Sequence, residues 1–234
     1  MSGKPPRKTV RMWLLAGLAA VAAAALMTGG TGLWLWRSAP AYWSPADRRD
    51  PKVQRGAVKF ENVLLSTVHE KNRGDWSVTL HEKQMNQWLA VRLPQWLANQ
   101  NHPLADRKMP RMMVACFEDR LELAFDARDH GFNQIFRLVY RPHNEPDRSS
   151  RLKLSGVYGG RLPLPRDRVL KWLSERGHEQ TARRLEDLEL IATLNDGRTV
   201  RVVNLDLMAG RAELQCVTEK ASLSQKTDPN ALRW

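Results

Sequence analysis

Met-Met-Val-Ala-Cys-Phe-Glu-Asp-Arg-Leu-Glu-Leu-Ala-Phe-Asp-Ala (112–127) decides the fold class of this chain. Met112, Val114 and Cys116 alternate with Met113, Ala115 and Phe117. After Glu118-Asp119, Leu121, Leu123, Phe125 and Ala127 alternate with Glu122, Ala124 and Asp126. Successive side chains of a strand point to opposite faces, so a period of two predicts two strands joined by a tight turn, with one face of the hairpin wet.

The same period continues downstream. Phe136, Leu138 and Tyr140 form a third strand, with Arg137 and Arg141 on its other face, and Leu152, Leu154, Gly156 and Tyr158 form a fourth. Ile191–Leu194 and Val200–Leu207 flank Asn195-Asp196-Gly197, a strong hairpin-turn signal, and Ala212, Leu214 and Cys216 close the sheet. Elsewhere the period is 3.6. Val53, Ala57, Phe60, Leu64 and Val68 predict an amphipathic helix over 52–70, which Asn72-Arg73-Gly74-Asp75 breaks. A short strand follows at Trp76–Leu80. Thr79 and Glu82 have the spacing of a capping box, which starts a second helix carrying Met85, Trp88, Leu89 and Leu93, with a kink or break at Pro94. Pro163-Leu-Pro165 leads into a helix with Val169, Leu170 and Leu173 inward and Trp172 a further candidate for that face, stopped by Gly177. A polar helix follows over 179–189. Helices and antiparallel strands in this order predict an α+β fold rather than a βαβ series.

The N-terminus is read from a different pattern. The run Met12–Trp36 holds 25 uncharged residues behind Lys4, Arg7, Lys8 and Arg11. A helix needs about 20 apolar residues to cross a bilayer, and a signal peptide's apolar core is about 7–15, so the length favours an uncleaved anchor. Trp34, Trp36, Tyr42 and Trp43 suit the interface, and the leading cations favour N-terminus inside. The chain is therefore expected to divide into a cytoplasmic tail (1–11), a transmembrane anchor (12–36), a linker (37–51), an exported domain (52–218) and a polar tail (219–234). The expected location is the bacterial inner membrane, with the main domain periplasmic or extracellular.

Charge and cysteine content bound what that domain does. The chain carries 37 Lys and Arg against 25 Asp and Glu, a net +12. Such a basic surface fits anionic partners, but no aromatic RNA-binding motif, zinc finger or helix-turn-helix pattern accompanies it, so nucleic acid is not expected. Cys116 and Cys216 sit in strand-like runs and are either one disulfide or two buried thiols; spacing does not choose between them.

Motifs for catalysis are missing. The six histidines (69, 81, 102, 130, 143 and 178) are scattered, with no HxH or HExxH pair, so no metal is expected. No G-x-S-x-G elbow occurs. Gly156-Val-Tyr-Gly159-Gly160 lacks the spacing of a dinucleotide fingerprint and the lysine of a P-loop, and it reads as a strand end. The acidic residues Asp126, Asp129, Glu186, Asp187 and Glu189 read as solvated faces. Neither an enzyme nor a cofactor is expected.

The run Trp-Ser-Val-Thr-Leu-His-Glu-Lys-Gln-Met-Asn-Gln-Trp-Leu (76–89) carries more information. It resembles the V-x-L-[ST]-E-x-Q-[LI]-N-x-L-L opening of membrane-anchored bacterial proteins of the YpmS-like type, and of small lipoproteins with tubular-lipid-binding (TULIP-like) half-barrels. His81 stands where Thr or Ser is usual. Gly160-Arg-Leu-Pro-Leu-Pro-Arg-Asp-Arg-Val-Leu-Lys-Trp-Leu (160–173) resembles their second landmark, a strand end, a Pro-bracketed turn and a helix. The likeness covers about residues 60–218. It implies a curved antiparallel sheet wrapped around an amphipathic helix, with an apolar groove between them and a lipid or other hydrophobic molecule as ligand. Trp88, Trp96, Met112, Phe125, Phe136 and Tyr158 are the candidate groove residues; the alternative is that they fill the core. The expected function is non-catalytic binding of a hydrophobic ligand near the membrane surface, or alternatively a scaffold or assembly subunit in an envelope complex.

Overall fold

The computed structural model describes residues 27–70, 74–99, 110–127, 134–145, 149–194 and 196–219. The described chain begins in a helix over 27–37 (α1), crosses 38–50 as an irregular strap, and enters α2 (Pro51–Glu70). Asp50 caps α2, its Oδ1 accepting the Lys52 N–H at 2.8 Å. Then come β1 (Gly74–His81), α3 (Glu82–Asn99), β2 (Met112–Cys116), β3 (Leu121–Asp126), β4 (Ile135–His143), β5 (Arg151–Gly159) and β6 (Leu162–Leu164). The chain continues through α4 (Arg166–Glu175), α5 (Glu179–Glu186), β7 (Asp187–Glu189), β8 (Ile191–Thr193), β9 (Thr199–Met208) and β10 (Arg211–Glu219).

The strands pair antiparallel in two sheets: a smaller one ordered β1-β10-β9-β8, and a larger one ordered β2-β3-β4-β5-β6, with β7 also on β5. The α+β class and the antiparallel pairing follow the alternation at 112–127 and after it. The main core takes Cys116, Leu138, Tyr140, Leu152, Leu154 and Val157 from the larger sheet, and Trp76, Val200, Val202, Leu205, Leu207, Ala212 and Cys216 from the smaller. The sheets therefore pack on each other, and α3 adds only Met85 to this core. Backbone bonds join them at one corner, where Ser150 N–H reaches Val202 O at 2.6 Å and Val202 N–H reaches Leu190 O at 3.0 Å. Cys116 and Cys216 are buried free thiols, and burial raises both to about 11.

Several expectations change. No helix among the described residues is long and apolar enough to cross a membrane. The described part of the supposed anchor, 27–36, is ten residues against the roughly 20 that a span requires; residues 12–26, like the supposed tail 1–11 and the segment 220–234, lie outside the described residues. The single-pass anchor, the N-inside orientation and the inner-membrane and envelope location that rested on it are withdrawn. So is the transmembrane part of the expected fold. Trp36 is no interface anchor: its ring meets Phe136 edge-on with centroids 6.0 Å apart.

The second helix starts at Glu82, not at Thr79. Thr79, Leu80 and His81 stay in β1, paired with Glu213, Ala212 and Arg211. Pro94 sits inside α3 without ending it. Asp196 and Gly197 turn β8 into β9 as expected, with Gly197 at φ +82°; Asn195 lies outside the described residues, as do Asn72 and Arg73. The short strands β6 and β7 have too few residues for alternation to announce them.

Candidate functional site

The strap and the strand edges it approaches build a region where polar and apolar groups converge around open space. Its first support is the buried face of β3. Glu122 and Asp126, expected on the wet face, are 3% and 5% exposed. Glu122 accepts from Arg120 Nε at 2.9 Å, Arg137 Nη1 at 2.9 Å and the Tyr42 hydroxyl at 2.6 Å. Asp126 accepts from Arg111 Nη2 at 3.0 Å. Burial pushes the Glu122 carboxyl up, but the hydrogen bonds from Arg120 and Tyr42 and the charge of Arg137 outweigh it, and the net shift is downward. Burial, together with the bond to Glu122, holds the Tyr42 hydroxyl well above its ordinary value. The hydroxyl therefore donates to a carboxylate.

These contacts pin the strap along this face. Arg161 N–H bonds Leu35 O at 2.8 Å and Arg161 Nε bonds Ala39 O at 3.0 Å; Gln134 donates to Trp36 O. The Tyr42 ring packs edge-on against Phe117 with centroids 5.8 Å apart. Ser44 N–H points at the Met113 sulfur, 3.4 Å away. The glycines at the end of β5 make room for the crossing. A Cβ on Gly159 meets the Trp36 ring, and one on Gly160, which already lies at φ +60°, lands 2.7 Å from the carbonyl oxygens of Leu35 and Ser38.

Beyond Ser44 the strap reaches the outer edge of β2, which α3 guards. Asn86 Nδ2 donates to Val114 O at 2.8 Å and its Oδ1 accepts the Val114 N–H at 2.7 Å, while Glu82 Oε2 accepts the Cys116 N–H at 2.9 Å. Four residues advance about 6 Å along a helix and two advance about 6.7 Å along a strand, so Glu82 and Asn86 match alternate residues of β2. Glu82 and Asn86, both within the 76–89 run, thus close a sheet edge. The capping box expected for Glu82 does not form.

A cleft of about 530 Å³ remains between the strap, α3 and the start of β2. Leu89, Ala90, Pro94, Pro110 and Met112 supply its apolar lining, and Arg48, Arg49 and Arg111 with Asp47 its charged rim. A second hollow of about 500 Å³ between α2 and α3 shares Arg48, Arg49, Ala90 and Pro94 with it. Of the six groove candidates, only Met112 lines the cleft. Phe125 and Phe136 stack with centroids 5.8 Å apart beneath Trp36. Tyr158 lies on the opposite face, with the Arg137 guanidinium 4.4 Å from its ring centre. Trp88 and Trp96 are half-buried on α3. The arginines carry no motif, the strap reads as a linker in the sequence, and the cluster of Trp36, Tyr42 and Trp43 suits a membrane interface rather than a sheet face. Among the described residues no group of His, Cys, Asp and Glu converges as a metal site requires.

No protein-family model, curated protein or solved structure matches this chain.

Proposed function

We propose that the folded domain is a non-catalytic binding module for a hydrophobic small molecule, held in the cleft between the strap, α3 and β2. The observation that carries this is the cleft itself. Its volume falls within the roughly 300–1,000 Å³ of small-molecule sites, and it joins an apolar lining to a few placed polar groups. The walls differ in rigidity. Asn86 and Glu82 fix α3 against β2, whereas the strap wall at 45–49 is held by turns of its own, by one bond from Gln54 of α2 and by its anchor at Tyr42. A wall of that kind adapts to a ligand without disturbing the core. The resemblance to TULIP-like half-barrels implies the same ligand class.

Mass spectrometry of organic extracts from the purified chain tests this. A hydrophobic molecule should co-purify, and Ala90→Trp, which fills the cleft, should remove most of it while the circular dichroism stays unchanged. Extracts without any such molecule, or equal recovery from the filled variant, count against the proposal.

A second reading, a scaffold that docks a protein partner, draws on α2, where Val58, Val63 and Leu65 are 44%, 53% and 59% exposed. Replacing all three with Ser should abolish recovery of a stoichiometric partner and leave the ligand of the cleft in place.

A further inference from the structure

Arg48 and Arg49 stand at the rim of the cleft, and neither guanidinium has a carboxylate partner among the described residues. Arg111, the third rim cation, is already paired with buried Asp126 at 3.0 Å. Local bonds shape their backbone. Gln54 Nε2 donates to Arg48 O at 3.0 Å, Arg49 N–H bonds Asp47 Oδ1 at 2.9 Å, and Asp50 N–H closes a turn onto Asp47 O at 3.1 Å. Two adjacent cations thus sit above Leu89, Pro94 and Met112, with Asp47 as the sole acid on the rim.

Resting on the reading above, we infer that the ligand is a single acyl chain ending in a carboxylate, with Arg48 and Arg49 taking the carboxylate and the apolar lining taking the chain. Three features lead there. Guanidinium and carboxylate match in shape and charge, and their hydrogen bonds are roughly twice as strong as neutral ones. A neutral molecule in the cleft would leave the two rim cations with Asp47 as their single counter-charge on the rim. The volume suits one molecule of drug size, which is one chain rather than a two-chain lipid. The basic character of the whole chain, net +12, raises the local concentration of any such anion.

The test compares oleate with oleyl alcohol, which share the chain and differ at its end, in titrations of the full chain followed by tryptophan fluorescence. Oleate should bind about tenfold or more tightly than the alcohol, the worth of one charge-assisted contact. R48Q/R49Q should remove that difference and leave the weak binding of the alcohol alone. R168Q/R184Q lowers net charge equally with exposed arginines outside the cleft, and should leave it intact. Raising the salt should narrow the gap between oleate and alcohol in the parent chain and in R168Q/R184Q, and change nothing in R48Q/R49Q. Equal affinity for acid and alcohol, or an equal effect of the two double variants, overturns the inference while leaving a hydrophobic site in place. Binding of neither compound to a folded chain overturns both the inference and the reading beneath it. Tighter binding of dodecyl phosphate than of laurate also overturns the carboxylate assignment.

Discussion

The two faces of the larger sheet are buried by opposite means. On one, Leu138, Leu154 and Val157 meet the smaller sheet across an apolar interface. On the other, Glu122 pairs with Arg137 beneath Tyr42 of the N-terminal strap, and Asp126 pairs with Arg111. Apolar burial is non-directional and tolerates exchange of similar shapes. The ionic face is directional: each group there is held by a particular partner, and removing one strands the other. The first face makes the fold stable, and the second decides where the strap lies and so how the cleft is walled.

Single substitutions can break that comparison. Glu122→Ala leaves Arg137, whose side chain is 13% exposed, without its carboxylate, and should cost about 3–5 kcal/mol in denaturant unfolding. Leu154→Ala on the other face should cost about 2–5 kcal/mol through the cavity it opens. The two should differ in kind: the Glu122 variant should also speed amide exchange at 39–46, and the Leu154 variant should not. A loss under 1 kcal/mol for Glu122→Ala would mean that the second face is merely solvated.

At the guarded edge, Asn86→Ala unpairs the Val114 N–H and C=O and should cost about 1–3 kcal/mol. Equal stability of variant and parent would show that water replaces the amide there. Tyr42→Phe keeps the ring on Phe117 and removes one of three donors to Glu122, for a loss of about 1 kcal/mol. Its larger effect should be on ligand affinity, because it frees the strap wall.

The pH dependence sharpens the same contrast. The folded Glu122 carboxyl titrates below its ordinary value of 4.5, so its contribution is complete above that value and is lost as pH falls through the lowered folded one. Acid unfolding of the parent should therefore show a limb below about pH 4.5 that Glu122→Gln lacks, while Leu154→Ala keeps it. An identical acid limb in Glu122→Gln would assign the loss to other carboxylates.

Much of the first face was legible in the sequence and little of the second. The period of two at 112–127, the turn at Asp196-Gly197 and the stop at Gly177 are local signals, and local geometry obeys them. The ionic face depends on pairings far apart in the chain: Tyr42 and Glu122 are 80 residues apart, and nothing local marks either as a partner. Alternation at β3 shows that Glu122 and Asp126 share a face, but it cannot show that a distant segment covers that face. The same limit explains the groove. Phe125 and Phe136 stack on each other with Trp36 against Phe136, and the cleft opens instead at Met112, where α3 and the strap meet the sheet edge. The Glu82–Asn86 spacing was visible, but its purpose needed β2 beside it.

The most direct test of the cleft as the binding site is amide chemical-shift mapping of the labelled full chain titrated with oleate. Shifts should concentrate at 45–49, 89–94 and 111–112, with Leu138, Leu154 and Val202 unmoved. Shifts centred on Phe125, Phe136 and the apolar interface between the sheets, or no saturable shifts at all, would contradict it.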